Sequence, residues 1–588
     1  MEVDRVRGPD DLSSAIWVLR QRIQQGPVNH SAMTKFGHKT PVDFVIVGAG
    51  GAGGVVANEL STAGFQVVVL EQGPYLHAED FTHDELKFKD VFDAPFIGRE
   101  VLTNDHALQP NTFRKTQSEK AELTAFAQYG RCVGGGTVHF TGNYWRFHEV
   151  DFAERSRWGP IESTGLADWP ITYADLEPYY TKAEWEIGIS GLAGANPFDP
   201  PRSKPYPLPP LPVKSSGVLL ERGARKLGWH PYPAPTAILS QSYRGRSACA
   251  HCGFCEFFGC EWGAKSSTLA SVIPIAEKTG RCEIRPNSYV RKISTDKNGR
   301  VDGVLYFDVQ KQEHLQKAKA VVVCANGAET PRLLLMSKSN LYPQGLANSS
   351  GLVGKFFMVD LGSLSLGTFE HPLNEFKSVR VTRVVQDFYD SDPKRGFYGG
   401  GGIDARFEFY PIGFALGGLP SDVPLWGAGF KKALKENFNR TVTVFSHTTC
   451  LPLDSNTITL DPEVKDAWGL PALRVTYKSH PDDFKTLRFF RDRSLELLDA
   501  AGAVRKWALP IEDTTAAGHL MGTCRMGNDA KGSVVDKHHR AHDVPNLFIV
   551  DGSSFVTSGR NQPTCTIQAL AYRAADHIIR MAKAGNIA

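Results

Sequence analysis

Residues 42 to 71 read VDFVIVGAGGAGGVVANELSTAGFQVVVLE: an apolar strand, a glycine-rich turn, a helical stretch and a second apolar strand ending in an acid. Such a run is one βαβ unit, which commits this part of the chain to a parallel sheet. The glycines of its G-x-G-x-x-G are Gly48, Gly50 and Gly53. The first permits the tight turn, the second lets the backbone approach a pyrophosphate, and the third lets helix and strand pack closely. The helix N-terminus then faces the phosphate charge. Glu71 closes the second strand, where an acid accepts hydrogen bonds from the adenosine ribose. The fingerprint reads as a dinucleotide site and does not by itself separate NAD from FAD.

Composition narrows the partners. A 588-residue chain with 41% hydrophobic and 22% charged residues is globular and long enough for more than one core. A net charge of +3 without a basic block excludes nucleic acid as the main partner. No stretch of 18 apolar residues occurs, and the opening MEVDRVRGPDDLSSAIWVLRQRIQQGP lacks the pattern of a secretory signal, so neither a membrane span nor an export address of its own is expected.

A second glycine-rich stretch, YGRCVGGGTVHFTGNYWRFHEVDF at 129 to 152, has close backbone approach built into it. Here the chain resembles the glucose-methanol-choline family of FAD oxidoreductases, whose members carry a G-R-x-x-G-G-[SG]-[ST] loop over the flavin. The resemblance assigns cofactor contacts to Gly130, Arg131, Gly134, Gly135, Gly136 and Thr137. It also puts His139 in the register at which some members bond the flavin covalently. Near the far end, GHLMGTCRMG at 518 to 527 and NLFIVDGSSFVTSGRNQPTCTIQAL at 546 to 570 resemble the family's C-terminal signature. By that resemblance Asp551 and Gly552 contact FAD.

Oxidising an alcohol needs a base for the hydroxyl proton, so that the carbinol carbon can give hydride to flavin N5. Histidine suits that task at neutral pH. The resemblance makes His519 the base and Asn561, from NQPT, the residue that hydrogen-bonds the same oxygen, with one residue inserted before Pro563. His538, His539 and His542 read as linker residues.

The anomaly is CAHCGFCEFFGC, in which Cys249, Cys252, Cys255 and Cys260 are spaced C-x2-C-x2-C-x4-C. Thiolates this close can converge on one centre: zinc would be tetrahedral and structural, and iron-sulfur clusters use similar near-contiguous runs. One branch of the family, the large subunits of bacterial gluconate, sorbitol, fructose and glucoside dehydrogenases, carries such a segment and holds an iron-sulfur cluster, [3Fe-4S] where known. For this chain the resemblance implies a one-electron relay, a small subunit, and a haem or quinone-linked acceptor. It further implies a periplasmic or membrane-associated location through those partners, a cytoplasmic one being the alternative.

The expected fold class is α/β with an α+β substrate domain: a Rossmann-like FAD-binding domain and a second domain built on an antiparallel sheet. The divisions are an extension over 1–41, in which 11–24 has a helical pattern, and a first FAD-binding part over 42–352 with a proline-rich connector at 196–212. The substrate domain covers 353–510, where SVRVTRVVQDF, RTVTVFSHTTC and NTITLDP alternate, and a returning FAD-binding part covers 511–588. DDFKTLRFFRDRSLELLDAAGA reads as an amphipathic helix closed by glycine.

The expected activity is oxidation of a hydroxyl of a sugar, sugar acid or polyol by an FAD dehydrogenase. Two other readings stay open: an oxidase of the same family that uses O2, with the cysteines on zinc or on nothing, and a flavin/iron-sulfur electron carrier without alcohol chemistry.

Overall fold

A seven-stranded sheet carries the βαβ unit, with Val42–Val47 and Val67–Leu70 running parallel on either side of the helix Gly51–Thr62 in the sequence. Its edge toward Val67–Leu70 is completed by Cys282–Arg285, also parallel. On the other side lies the long strand Glu313–Val323. Its second half runs parallel to Val42–Val47 and to Leu547–Ile549, while its first half pairs antiparallel with Val301–Phe307, which in turn pairs with Tyr289–Thr295. The central strands are buried on both faces, as their unbroken valine and isoleucine runs require. Glycine admits the tight crossing at the front: Gly48 has φ +95°, and a Cβ there would stand 2.5 Å from the Cys324 carbonyl oxygen. At Gly53 a Cβ would collide with the Gly48 carbonyl.

The computed structural model describes residues 35–85, 108–514 and 516–587. The helix expected over 11–24, and most of the extension 1–41, lie outside the described residues. Among those described, no helix is long and apolar enough to cross a membrane.

A six-stranded antiparallel sheet follows the order Arg505–Ala508, Leu364–Thr368, Thr441–Thr448, Gly401–Arg406, Arg383–Val385, Tyr232–Pro233. The helix Pro481–Ala501 lies against it, burying Phe490, Leu497 and Leu498 with Val442, Val444 and Ile403. It ends at Gly502 with φ +92°, the left-handed cap that glycine adopts at little cost. NTITLDP does not join this sheet. Thr457–Lys465 pairs with Pro471–Thr476 in a separate four-stranded sheet with Asn111–Arg114 and Glu122–Thr124. Alternation shows that one face is buried and cannot say against which sheet.

His38–Ala588 form one compact unit, and strands cross the divisions drawn from sequence: Tyr232–Pro233 edges the antiparallel sheet, and Pro471–Thr476 pairs with Asn111–Arg114. Buried ion pairs tie distant segments together. Arg146 forks onto Glu184 at 2.8 Å through each of two nitrogens, and Arg560 reaches Asp151 at 2.6 Å and also contacts Glu154.

Gly53→Ala should destabilise the protein by ~3 kcal/mol, since its Cβ meets backbone that is held on both sides. Urea unfolding of the variant beside the parent measures it.

Candidate active site

A cavity of about 690 Å³ opens where the parallel strands end. One part of its wall is nearly bare backbone: Gly48, Gly50, Gly51, Gly130, Gly135 and Gly136 line it together with Cys324, Asp551 and Gly552. The two glycine loops touch, since a Cβ at Gly135 (φ +53°) would lie 2.8 Å from the Gly50 Cα. Thr137 donates to the Gly134 carbonyl at 2.6 Å and lines the same wall. Glu71 accepts from the Ala49 and Gly73 amides at 2.9 Å each, and burial pushes its carboxyl up to about 7. Asp551 accepts from the Asn326 and Ser553 amides and the Thr330 hydroxyl, with burial again raising its pKa.

Three of the expected cofactor residues lie behind this wall, among them Gly134, whose amide donates to the Ala49 carbonyl at 2.9 Å. Gly53 provides the helix–strand contact, and Arg131 donates to the Gln72 carbonyl at 3.3 Å without lining the cavity. His139 does line it. Its carbonyl accepts from Phe257 at 2.7 Å, its Nδ1 is buried without a hydrogen bond, and burial with the nearby Lys265 charge holds it neutral. The side-chain amide of Asn143 is buried in the same wall with neither atom hydrogen-bonded. A side-chain-free cradle at a helix N-terminus, beside an unpaired amide able to both donate and accept, fits a dinucleotide with a flavin ring.

The rest of the wall carries a chain of ionisable groups. His519 Nδ1 is 3.0 Å from Asp360 Oδ2, and the same oxygen is 3.2 Å from His447 Nδ1. His447 Nε2 lies 3.1 Å from Asp404, onto which Arg406 forks at 2.7 and 2.6 Å. Burial opposes the charge on Asp360, but bonds to the two histidines outweigh it and hold the carboxyl well below its usual range. Burial likewise opposes a charged His447, and Asp360 and Asp404 reverse that and raise it.

Asn561 is a correction. Its side chain is buried away from the cavity, donating to the Arg146 carbonyl at 3.0 Å and to Tyr389 at 3.3 Å. The residue that lines the cavity is Gln562, immediately before Pro563, with its amide 2.6 Å from His447 Nε2. The insertion in NQPT explains the shift, because the residue next to the proline is the one the following helix, Thr564–Lys583, presents to the site. Asp360 and His447 carry no local motif that could have marked them.

Cys249, Cys252, Cys255 and Cys260 are free thiols lining a second, small cavity with Phe254, Trp262 and Lys265. Burial raises Cys249, Cys252 and Cys255, with Cys255 pushed up to about 12. The buried Lys265 ammonium bonds the Phe140 and Phe258 carbonyls at 3.1 and 2.7 Å and also the Cys255 carbonyl. The expected metal ligand set is not formed: among the described residues no three His, Cys, Asp or Glu side chains are arranged to hold a metal ion. The loop turns through left-handed His251, Gly253 and Phe257, which brings the four thiols to one cavity wall without closing them on one point.

The GMC oxidoreductase family models match residues 42–355 and 452–571. The chain is 36% identical to a 2-methyl-1,2-propanediol dehydrogenase of Mycolicibacterium austroafricanum, over 92% of this chain and 95% of that protein. It is 30% identical to a fructose dehydrogenase large subunit of Gluconobacter japonicus, over 92% and 98%. Among solved structures, pyridoxine 4-oxidase from Mesorbium loti superposes with a TM-score of 0.61 over 91% of this chain and 99% of that one, at 17% identity, a likeness of fold.

The Asp360–His447 pair sets a pH signature. Asp360 is depressed, so its contribution is present above about pH 4 and lost as pH falls through its folded value; His447 is raised, so its contribution is full below about pH 6.5 and lost as pH rises through its folded value. His447→Gln should remove the alkaline loss in a pH series of urea unfolding curves and lower stability by ~3 kcal/mol at pH 6.

Proposed function

The chain belongs to the GMC oxidoreductase family, FAD enzymes acting on alcohols or sugars, and from that premise we propose that it is a dehydrogenase oxidising a hydroxyl of a sugar, sugar acid or polyol. The observation that carries the reading is the His519–Asp360 contact on the cavity wall. With Nδ1 engaged by a buried carboxylate, the free nitrogen of His519 is Nε2, which can take the hydroxyl proton. Asp360 holds the ring in that tautomer and stabilises the charge it acquires. Gln562 takes the role expected of Asn561, orienting the substrate oxygen from the cavity wall beside His447. FAD, when bound, supplies the two-electron acceptor at flavin N5. His139, neutral and with an unpaired buried Nδ1, is the attachment point if the flavin stays with acid-precipitated protein.

For the electron exit we propose a protein acceptor, haem or quinone-linked, and an iron-sulfur cluster at Cys249, Cys252, Cys255 and Cys260. Its support is that four free thiols share one cavity while the intervening Glu256 and Phe257 line the large one, so a single loop faces both. The loop must close on the iron for this reading to hold, because its thiols stand apart in the structure. By the same reading the chain is the catalytic subunit of an assembly with a small subunit, at the periplasmic side or membrane surface.

His519→Ala should lower the anaerobic rate of flavin reduction by about 10²–10⁴-fold with FAD retained, and Asp360→Asn should lower it about tenfold or more. Equal rates in variant and parent would remove the base, leaving the electron-carrier reading. Iron and acid-labile sulfide in anaerobically purified protein, with an EPR signal in the oxidised form, are expected from the cluster. Zinc alone, or no metal in FAD-loaded protein, would instead favour the O2-using oxidase.

A further inference from the structure

Next to His447 the cavity wall carries charges that the hydride chemistry does not use. Arg406 lies 3.3 Å from His447 Nε2, and its Nη1 is flanked by Glu408 at 3.4 Å and Glu256 at 3.6 Å. All four side chains line the cavity. Glu256 is 7% exposed; one of its oxygens accepts from the Thr141 hydroxyl at 2.9 Å. The other has no hydrogen bond, the nearest cation being Arg380 Nε at 3.8 Å. Gln562 adds a further buried, unpaired acceptor in its side-chain oxygen.

These groups define what can bind between them. A substrate carboxylate is held by cations, of which a guanidinium with its fork free is the best suited. The fork of Arg406 is already committed to Asp404, and both ring nitrogens of His447 face carboxylates. No other lysine or arginine lines the cavity among the described residues. An anion there would sit beside the carboxyls of Asp360 and Glu256 and of Glu408, which burial and Glu256 push up to about 7, whereas hydroxyl groups find hydrogen-bond partners in Glu256, Glu408 and Gln562. Phe140 and Phe445 offer apolar faces for the carbon skeleton.

Resting on the alcohol-oxidising reading above, we propose that this site selects an uncharged polyol or sugar, whose hydroxyls beyond the reacting one donate to Glu256 and Glu408, and rejects substrates bearing a carboxylate. Sugar acids, one of the classes admitted by the sequence, are thereby removed.

The test uses matched pairs that differ only in a terminal CH2OH against COO⁻: 1,2-propanediol and lactate, glycerol and glycerate, glucitol and gluconate. With FAD-loaded enzyme, anaerobic flavin reduction is timed, and binding is read separately as perturbation of the flavin absorbance. The neutral member should react or bind at least about tenfold better in each pair that responds. Glu408→Gln should narrow that gap, and Glu256→Gln serves as the second variant where the first loses its flavin. An anionic member that reacts or binds as well as its neutral partner, or no difference within any pair, would overturn the proposal. If neutral compounds bind preferentially and none reduces the flavin, the selection stands and the dehydrogenase reading fails.

Discussion

Three parallel strands ending at one edge of a sheet place nearly everything else. Val42–Val47, the second half of Glu313–Val323 and Leu547–Ile549 share a direction, so the residues that follow them, Gly48, Cys324 and Asp551, arrive at the same rim. Ligand crevices form at such carboxyl ends because the helices that follow leave their N-termini facing the gap. The long strand is the hinge of this arrangement. Its backbone is paired along its length, to an antiparallel hairpin first and to parallel neighbours afterwards, so its polar groups find partners as the pattern changes.

Across from that rim stands a buried run of charge, Asp360–His447–Asp404–Arg406, with the partly exposed His519 bonded to its end. Each member would be costly to bury alone, and each has its neighbour as partner. The run joins the C-terminal loop bearing His519 to the antiparallel sheet, which contributes Asp404, Arg406 and His447 from adjacent strands in register. His519 is therefore tied, through Asp360 and His447, to the antiparallel sheet.

Legibility followed the range of the interactions. Gly48, Gly50 and Gly53 were legible because a tight turn is a local event with few chemical solutions. His519 was legible because it lies in a dense motif whose backbone it shares. Asn561 was displaced by one position because an inserted residue alters which side chain the helix start presents, and sequence spacing alone does not record that. NTITLDP was read as a strand and assigned to the wrong sheet, since alternation reports exposure and not partners. The four cysteines show the same limit. Their spacing is compatible with convergence, while the left-handed turns at His251, Gly253 and Phe257 decide where the sulfurs stand.

By itself the sequence determined the βαβ unit, the glycine cradle and the family, and it pointed to His519, because each depends on residues close in the chain whose backbone geometry is nearly forced. Only the tertiary structure decided that Asp360 steadies His519, that Gln562 faces the cavity, and that Glu256, Arg406 and Glu408 meet beside His447. Several of those contacts join residues more than a hundred positions apart, as with the 159 between Asp360 and His519 and the 115 between His447 and Gln562. The physical reason is that a buried charge is stable only beside its partner, and the fold alone sets which partner comes within 3 to 4 Å.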